Sequence, residues 1–118
     1  MSRVHVHLTF VETRVFTSRV VRLGLEEPLR QLQRALLENP AAGRVDPGTG
    51  GLRKIRMADP ERRKGKRGGA RVHYLWLPDA HIVYLMFVYT KDESESLTPA
   101  QRRSLKAVVD RIKATHAR

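Results

Sequence analysis

There is no cysteine among the 118 residues, which excludes disulfides and thiolate zinc sites and fits a reducing compartment. Acidic residues are scarce: 12 Asp and Glu stand against 23 Lys and Arg, for a net charge of +11. A field of that sign draws polyanions and speeds their capture, although it does not specify a fold. No apolar run approaches membrane-spanning length and no secretory segment is evident, so a soluble cytoplasmic protein is expected. No basic helix carries a broad aromatic face, which favours nucleic acid over a membrane surface as the partner. Internal repeats are also lacking. What is present is ordinary for a globular domain, with 41% hydrophobic and 30% charged residues. One domain, 1–118, with a real core is the expectation.

Residues 4–10 alternate, with Val4, Val6, Leu8 and Phe10 on one side and His5, His7 and Thr9 on the other, as in a half-buried strand. Two histidines two residues apart share a face, but nothing else suggests zinc. Residues 11–22 have no firm period and read as a short helix or an ordered loop. From Gly24 the pattern turns helical: Leu25, Leu29, Leu32 and Leu36 form a stripe that Leu37 widens, and Asn39-Pro40 ends it. Residues 41–51 read as a loop broken by Gly43, Pro47, Gly48, Gly50 and Gly51. A glycine cluster beside basic residues offers backbone N–H groups to phosphate. It lacks the Lys-Ser/Thr ending of a nucleotide P-loop, which argues against ATP or GTP.

Two strands then flank a basic loop. Residues 52–57 carry Lys54 and Arg56 within an apolar pattern, and residues 70–77 place Val72, Tyr74 and Trp76 on one face and Arg71, His73 and Leu75 on the other. Between them come Arg62, Arg63, Lys64, Lys66 and Arg67 with no apolar residue, a hairpin loop suited to tracking a nucleic-acid backbone. The window 44–74 holds ten Lys and Arg against Asp46, Asp59 and Glu61. Each cation that meets a phosphate releases a counterion, so phosphate is the natural partner of such a density. Residues 82–89 are apolar almost throughout and read as the central strand, covered on both faces. Charge returns as Lys91, Asp92, Glu93 and Glu95. Thr98-Pro99-Ala100-Gln101 is a capping box opening a last helix that buries Leu105, Val108, Val109 and Ile112.

The phrases Gly-Thr-Gly-Gly-Leu-Arg-Lys-Ile-Arg (48–56), Gly-Lys-Arg-Gly-Gly-Ala-Arg-Val-His-Tyr (65–74) and Val-Tyr-Thr-Lys-Asp-Glu (88–93) come in fixed order along the chain. With the element order strand, two helices, three strands and a helix, they resemble the HigB-like branch of the RelE/ParE superfamily of type II toxin–antitoxin toxins. The resemblance implies an α+β fold, a small, mainly antiparallel sheet with helices packed on one face. It also implies cleavage of messenger RNA on the ribosome, and neutralisation by a cognate antitoxin, commonly a helix-turn-helix, HigA-like protein that reaches operator DNA. On that pattern the catalytic positions fall on Lys54, Arg56, Arg71 and Lys91, with Arg53, Arg62, Arg63, Lys64, Lys66 and Arg67 as contacts to RNA or ribosome. The chain departs from the best-known RelE pattern at Asp92, where arginine is expected, and at Thr98, where tyrosine is expected near the last helix.

Such cleavage, without metal or other cofactor, uses the 2′-OH as nucleophile. It needs a proton acceptor, positive charge on the non-bridging oxygens and an acid for the leaving 5′-oxygen. Arg56 and Arg71 suit charge stabilisation through paired donors. Lys54 and Lys91 suit proton transfer where neighbouring cations favour the neutral amine. Glu93 and His73 are reserve bases, although mid-strand His73 reads more readily as structural. Two other functions share these features: a ParE-like toxin that inhibits gyrase, and a non-catalytic RNA-binding protein using basic loops and strand aromatics.

Overall fold

A computed structural model describes residues 7–58 and 69–117. The expected α+β class holds: the described residues form three α-helices and a five-stranded, mostly antiparallel sheet ordered β1-β5-β4-β3-β2. Strand β1, Thr9–Glu12, runs parallel to β5, Ile82–Thr90. Strands β3, Arg53–Met57, β4, Ala70–Leu77, and β5 form an antiparallel meander. A 3₁₀ turn, Pro78–Ala80, links the last two, and His81 takes the left-handed conformation that closes it.

Several expectations are corrected. Among the described residues the first strand spans Thr9–Glu12, with His7 and Leu8 outside it and its end two residues past the expected 10; Val4, His5 and Val6 fall outside the described residues. Of the two alternatives left open for 11–22 the helix holds: it is α1, Arg14–Leu23, whose Thr13 cap accepts from the Phe16 N–H at 3.1 Å. Gly24 ends this helix instead of opening the next: its φ of +67° lets its N–H reach back to the carbonyls of Val20 and Val21. Helix α2 is Glu26–Glu38, and Leu37 stands 46% exposed, outside the buried stripe. The loop 41–51 contains a short strand β2, Arg44–Val45, paired with Lys54 and Arg53. Strand β4, not β5, lies at the middle of the sheet, although β5 is interior and covered on both faces as its composition required.

The helices cover both faces, where one was expected. On one face α1 and α2 send Phe16, Val20, Leu25, Leu29, Leu32 and Leu36 against Val72, Tyr74, Val83, Leu85 and Val88. On the other, α3, Pro99–His116, packs Val109 with Leu52, Leu75 and Met86, joined by Leu105, Val108 and Ile112. The physical reason lies in β5, apolar on both sides, and in the far end of β4, where Leu75 and Leu77 turn to the second face. Helix α3 covers the end of that second face nearest Leu75, and the polar residues of β3 and β4 occupy the rest.

Candidate nucleic-acid interface

Residues directly opposite in an antiparallel pair share a face. In β3 and β4, Arg56 stands opposite Arg71 and Lys54 opposite His73; in β4 and β5, Arg71 stands opposite Tyr89 and His73 opposite Phe87. Lys54, Arg56, Arg71, His73 and Tyr89 therefore gather on the face that α3 covers only in part. Lys91 lies at the same end of the sheet, one residue beyond β5, where its N–H donates to the Gly69 carbonyl at 3.2 Å. Three of the four sequence-derived cations are thus juxtaposed and the fourth is anchored at their edge.

Their exposure is graded. Arg56 and Lys91 are exposed, Lys54 is half-buried, and Arg71 is 7% exposed, with its Nη1 donating to the Gly69 carbonyl at 3.2 Å. Lys54 Nζ approaches the Glu95 carbonyl at 3.4 Å, which leaves most of its donor capacity unspent. Arg53 points elsewhere, donating to the carbonyls of Ala41 and Gly43 at 3.1 and 2.7 Å. Arg62, Arg63, Lys64, Lys66 and Arg67 lie outside the described residues. Glu93 is committed to a clamp: both its oxygens accept from Arg19 Nη2, at 2.6 and 2.7 Å, and Oε1 also accepts from the Thr90 N–H. Those bonds, against a desolvation cost, hold its carboxyl below the usual range, so it is an ionised strut.

His73 is fully buried. Its Nε2 lies 3.0 Å from Asp46 Oδ2, while Asp46 Oδ1 accepts from Arg102 Nη1 at 2.7 Å, and the same Arg102 nitrogen donates to the Pro47 carbonyl at 2.8 Å. One carboxylate thus joins the 46–52 turn, β4 and α3. Burial pushes the His73 pKa down; its bond to Asp46 pushes the other way, and the charges of Lys54 and Arg102 reinforce burial. Burial tends to raise the Asp46 pKa, but the bonds from Arg102 and His73 outweigh it and hold the carboxyl below its ordinary value. The stable pairing is a neutral imidazole donating from Nε2 to an ionised Asp46, with Nδ1 left as an unprotonated acceptor.

The glycine-rich turn is built inward. Thr49, fully buried, donates to the Asp46 carbonyl at 2.6 Å and accepts from the Leu52 N–H at 3.1 Å, and the Asp46 N–H donates to the Leu52 carbonyl at 2.8 Å. Gly50 has φ +79°, and a Cβ there would stand 3.1 Å from Val109 Cγ1. Close packing under α3 accounts for this glycine without a phosphate. Tyr74 is likewise spoken for: it is fully buried, accepts from the Gly43 N–H at 2.8 Å and donates to the Pro40 carbonyl at 2.7 Å, so it offers no ring for base stacking.

Asp46 and Arg102 are functional candidates that sequence reasoning missed. Asp46 is one of only three acids in a basic window, a signal that was available; Arg102 gave none, being one cation of many on the last helix. Among the described residues no helix is long and apolar enough to cross a membrane, and no three His, Asp or Glu side chains are grouped to hold a metal ion. No family model matches the chain.

Proposed function

We propose that this chain is a ribonuclease toxin of the RelE/HigB kind, an endonuclease that cuts messenger RNA on the ribosome and is held in check by a cognate antitoxin. One observation carries the reading: the cross-strand pairs Arg56–Arg71 and Lys54–His73 collect guanidinium, ammonium and imidazole groups on one rigid sheet face. A chain that needed charge only for solubility has no reason to bury an arginine to 7% exposure beside a fully buried histidine. Fixed cations meet the charge that grows on the phosphorane oxygens without having to reorganise as it forms.

In this scheme the 2′-oxygen attacks the adjacent phosphorus, a cyclic phosphate forms and the 5′-oxygen leaves. Arg71 and Arg56 meet the non-bridging oxygens, and Arg71 is the better placed of the two because its backbone belongs to the middle strand. Lys54 on β3 and Lys91 just past β5 flank the middle strand, and in this scheme they serve the entering and leaving oxygens. The ribosome would supply what so open a face lacks, a messenger held in line for attack.

The test is to mix the purified protein with programmed ribosomes and map the new RNA ends. Cuts spaced by codons are expected. The Arg71→Ala, Lys91→Ala double variant is expected to keep its fold and its antitoxin binding and to lose the cuts by at least a hundredfold, roughly the loss of one preorganised donor. An uncut messenger with a DNA-damage response would point to gyrase inhibition instead, and tight RNA binding without cleavage would point to a passive binder. A double variant as active as the parent would overturn the assignment of these residues.

A further inference from the structure

Two polar atoms on this face take no part in the chemistry above. Among the described residues, His73 Nδ1 and Tyr89 Oη are buried and have no hydrogen-bond partner. An unpaired buried donor or acceptor is costly, and native interiors keep few of them. These two belong to stacked rings, with centroids 5.7 Å apart and planes inclined by 24°. A cation stands across from each ring: Lys54 opposite His73 and Arg71 opposite Tyr89. Burial raises the phenol pKa of Tyr89 and the charge of Asp46 adds to it, so the hydroxyl keeps its proton and is a donor. With Nε2 engaged by Asp46, the imidazole presents a lone pair at Nδ1.

We propose that His73 and Tyr89 line a subsite for one phosphate oxygen, and that filling it takes up one solvent proton at His73 Nδ1. The inference rests on the reading of this face as a phosphodiester site and adds a proton-linked binding step to it. An anion cannot accept from a lone pair, so Nδ1 must gain a hydrogen before it can donate beside the Tyr89 hydroxyl. Asp46 from the turn, Lys54 from β3 and Arg102 from α3 are the charges acting on the imidazole, with Arg71 two residues away on β4 and the neutral, titratable Tyr89 of β5 stacked on the ring. Asp46 favours the imidazolium, whereas burial and the cations oppose it and prevail in the free protein. A phosphate oxygen against the ring adds a second negative charge and tips that balance. Linkage is reciprocal, so whatever the anion does to proton affinity, the proton does to anion affinity.

The probe is a 2′-O-methyl RNA oligonucleotide, which has no 2′-hydroxyl to react. Imidazole nitrogen NMR of the full chain, with the His73 signal assigned through its backbone, is followed from pH 5.5 to 8 with and without the probe. His73 is expected to titrate at a higher pH when the probe is bound, and affinity is expected to tighten as pH falls, approaching tenfold per unit in the linked range. His73→Gln should flatten that dependence, His81→Gln on an exposed site should not, and Tyr89→Phe should weaken binding at pH 6 about tenfold, the loss of one hydrogen bond to a charged group. A bound probe that leaves the His73 titration unmoved overturns the subsite, as does a pH slope that survives in His73→Gln. If that variant fails to fold, the wild-type titration decides alone. Ribosomal cuts without a His73 shift would remove the subsite and leave the nuclease reading; a shift without cuts would do the reverse, and no binding at all would overturn the subsite.

Discussion

Asp46 carries two loads at once, and its replacement should expose both. Its carboxylate is the only group seen to bond to both His73 and Arg102 among the described residues, so Asp46→Asn leaves a cation and a buried imidazole imperfectly matched. A loss of about 3 kcal/mol is expected in denaturant unfolding, the range for removing one partner of a largely buried pair. The pH dependence follows from the same contacts. The folded-state pKa of His73 lies below its ordinary 6.5, so just below that pH the unfolded chain binds more protons and stability falls as acid is added. Asp46, with a pKa held below its ordinary 3.8, contributes stability that is present above that pH and is lost as pH falls through the folded value. Melting temperature against pH should therefore be flat above about 7, decline first below about 6.5, and decline again in the range of the carboxylates. His73→Gln keeps an N–H donor for Asp46 without a titrating ring and should erase the first decline alone. If the first decline persists in that variant, the buried imidazole is not its source.

At the scale of elements, what could be read in the chain depended on how local the signal was. The last helix was fully legible, because Thr98, Pro99 and Gln101 form both halves of a capping box within four residues: the Gln101 N–H donates to Thr98 Oγ1 at 3.1 Å and the Thr98 N–H donates to Gln101 Oε1 at 2.9 Å. Thr98→Ala should cost about 1 kcal/mol, measured by chemical unfolding. The faces of β4 were also legible, since Val72 and Tyr74 against Arg71 and His73 obey a period of two. The glycine turn was not. Its composition fits a phosphate cradle as well as a tight turn, and only the distant Val109 decides between them. Gly50→Ala tests that decision: a residue forced to φ +79° and driven into the last helix should lose about 1–3 kcal/mol. Helix α1 escaped a firm reading because Val15 and Val21 face outward, 54% and 61% exposed, and blur its stripe. The parallel pairing of β1 with β5 was equally hidden, since strand neighbours far apart in sequence leave no mark on periodicity.

For the molecule as a whole, a net charge of +11 attracts polyanions without regard to site, so affinity alone would not place an RNA contact. The sheet face and the outer surface of α3 are both basic. The α3 surface shows exposed Arg103 and Arg111, and its Lys106 is paired with Asp110 at 3.0 Å. Salt dependence separates the two. For a single strand, log K falls against log salt with a slope of about −0.7 for each phosphate neutralised. If Lys54, Arg56, Arg71 and Lys91 each meet a phosphate, these four account for about −2.8 of the slope. Replacing exposed Arg56 by Gln should then flatten the slope by about 0.7, whereas Arg103→Gln with Arg111→Gln should leave it unchanged. The arrangement of the sheet gives the expectation its physical basis: cations on β3 and β4 are held by backbone pairing at fixed separations and meet a phosphate chain together, while those on the helix face act as independent, screened charges. Filter-binding titrations of a short RNA at several salt concentrations would measure both slopes. The reverse result, an α3 variant that flattens and an Arg56 variant that does not, would move the nucleic-acid contact to the helix and leave the sheet face without RNA.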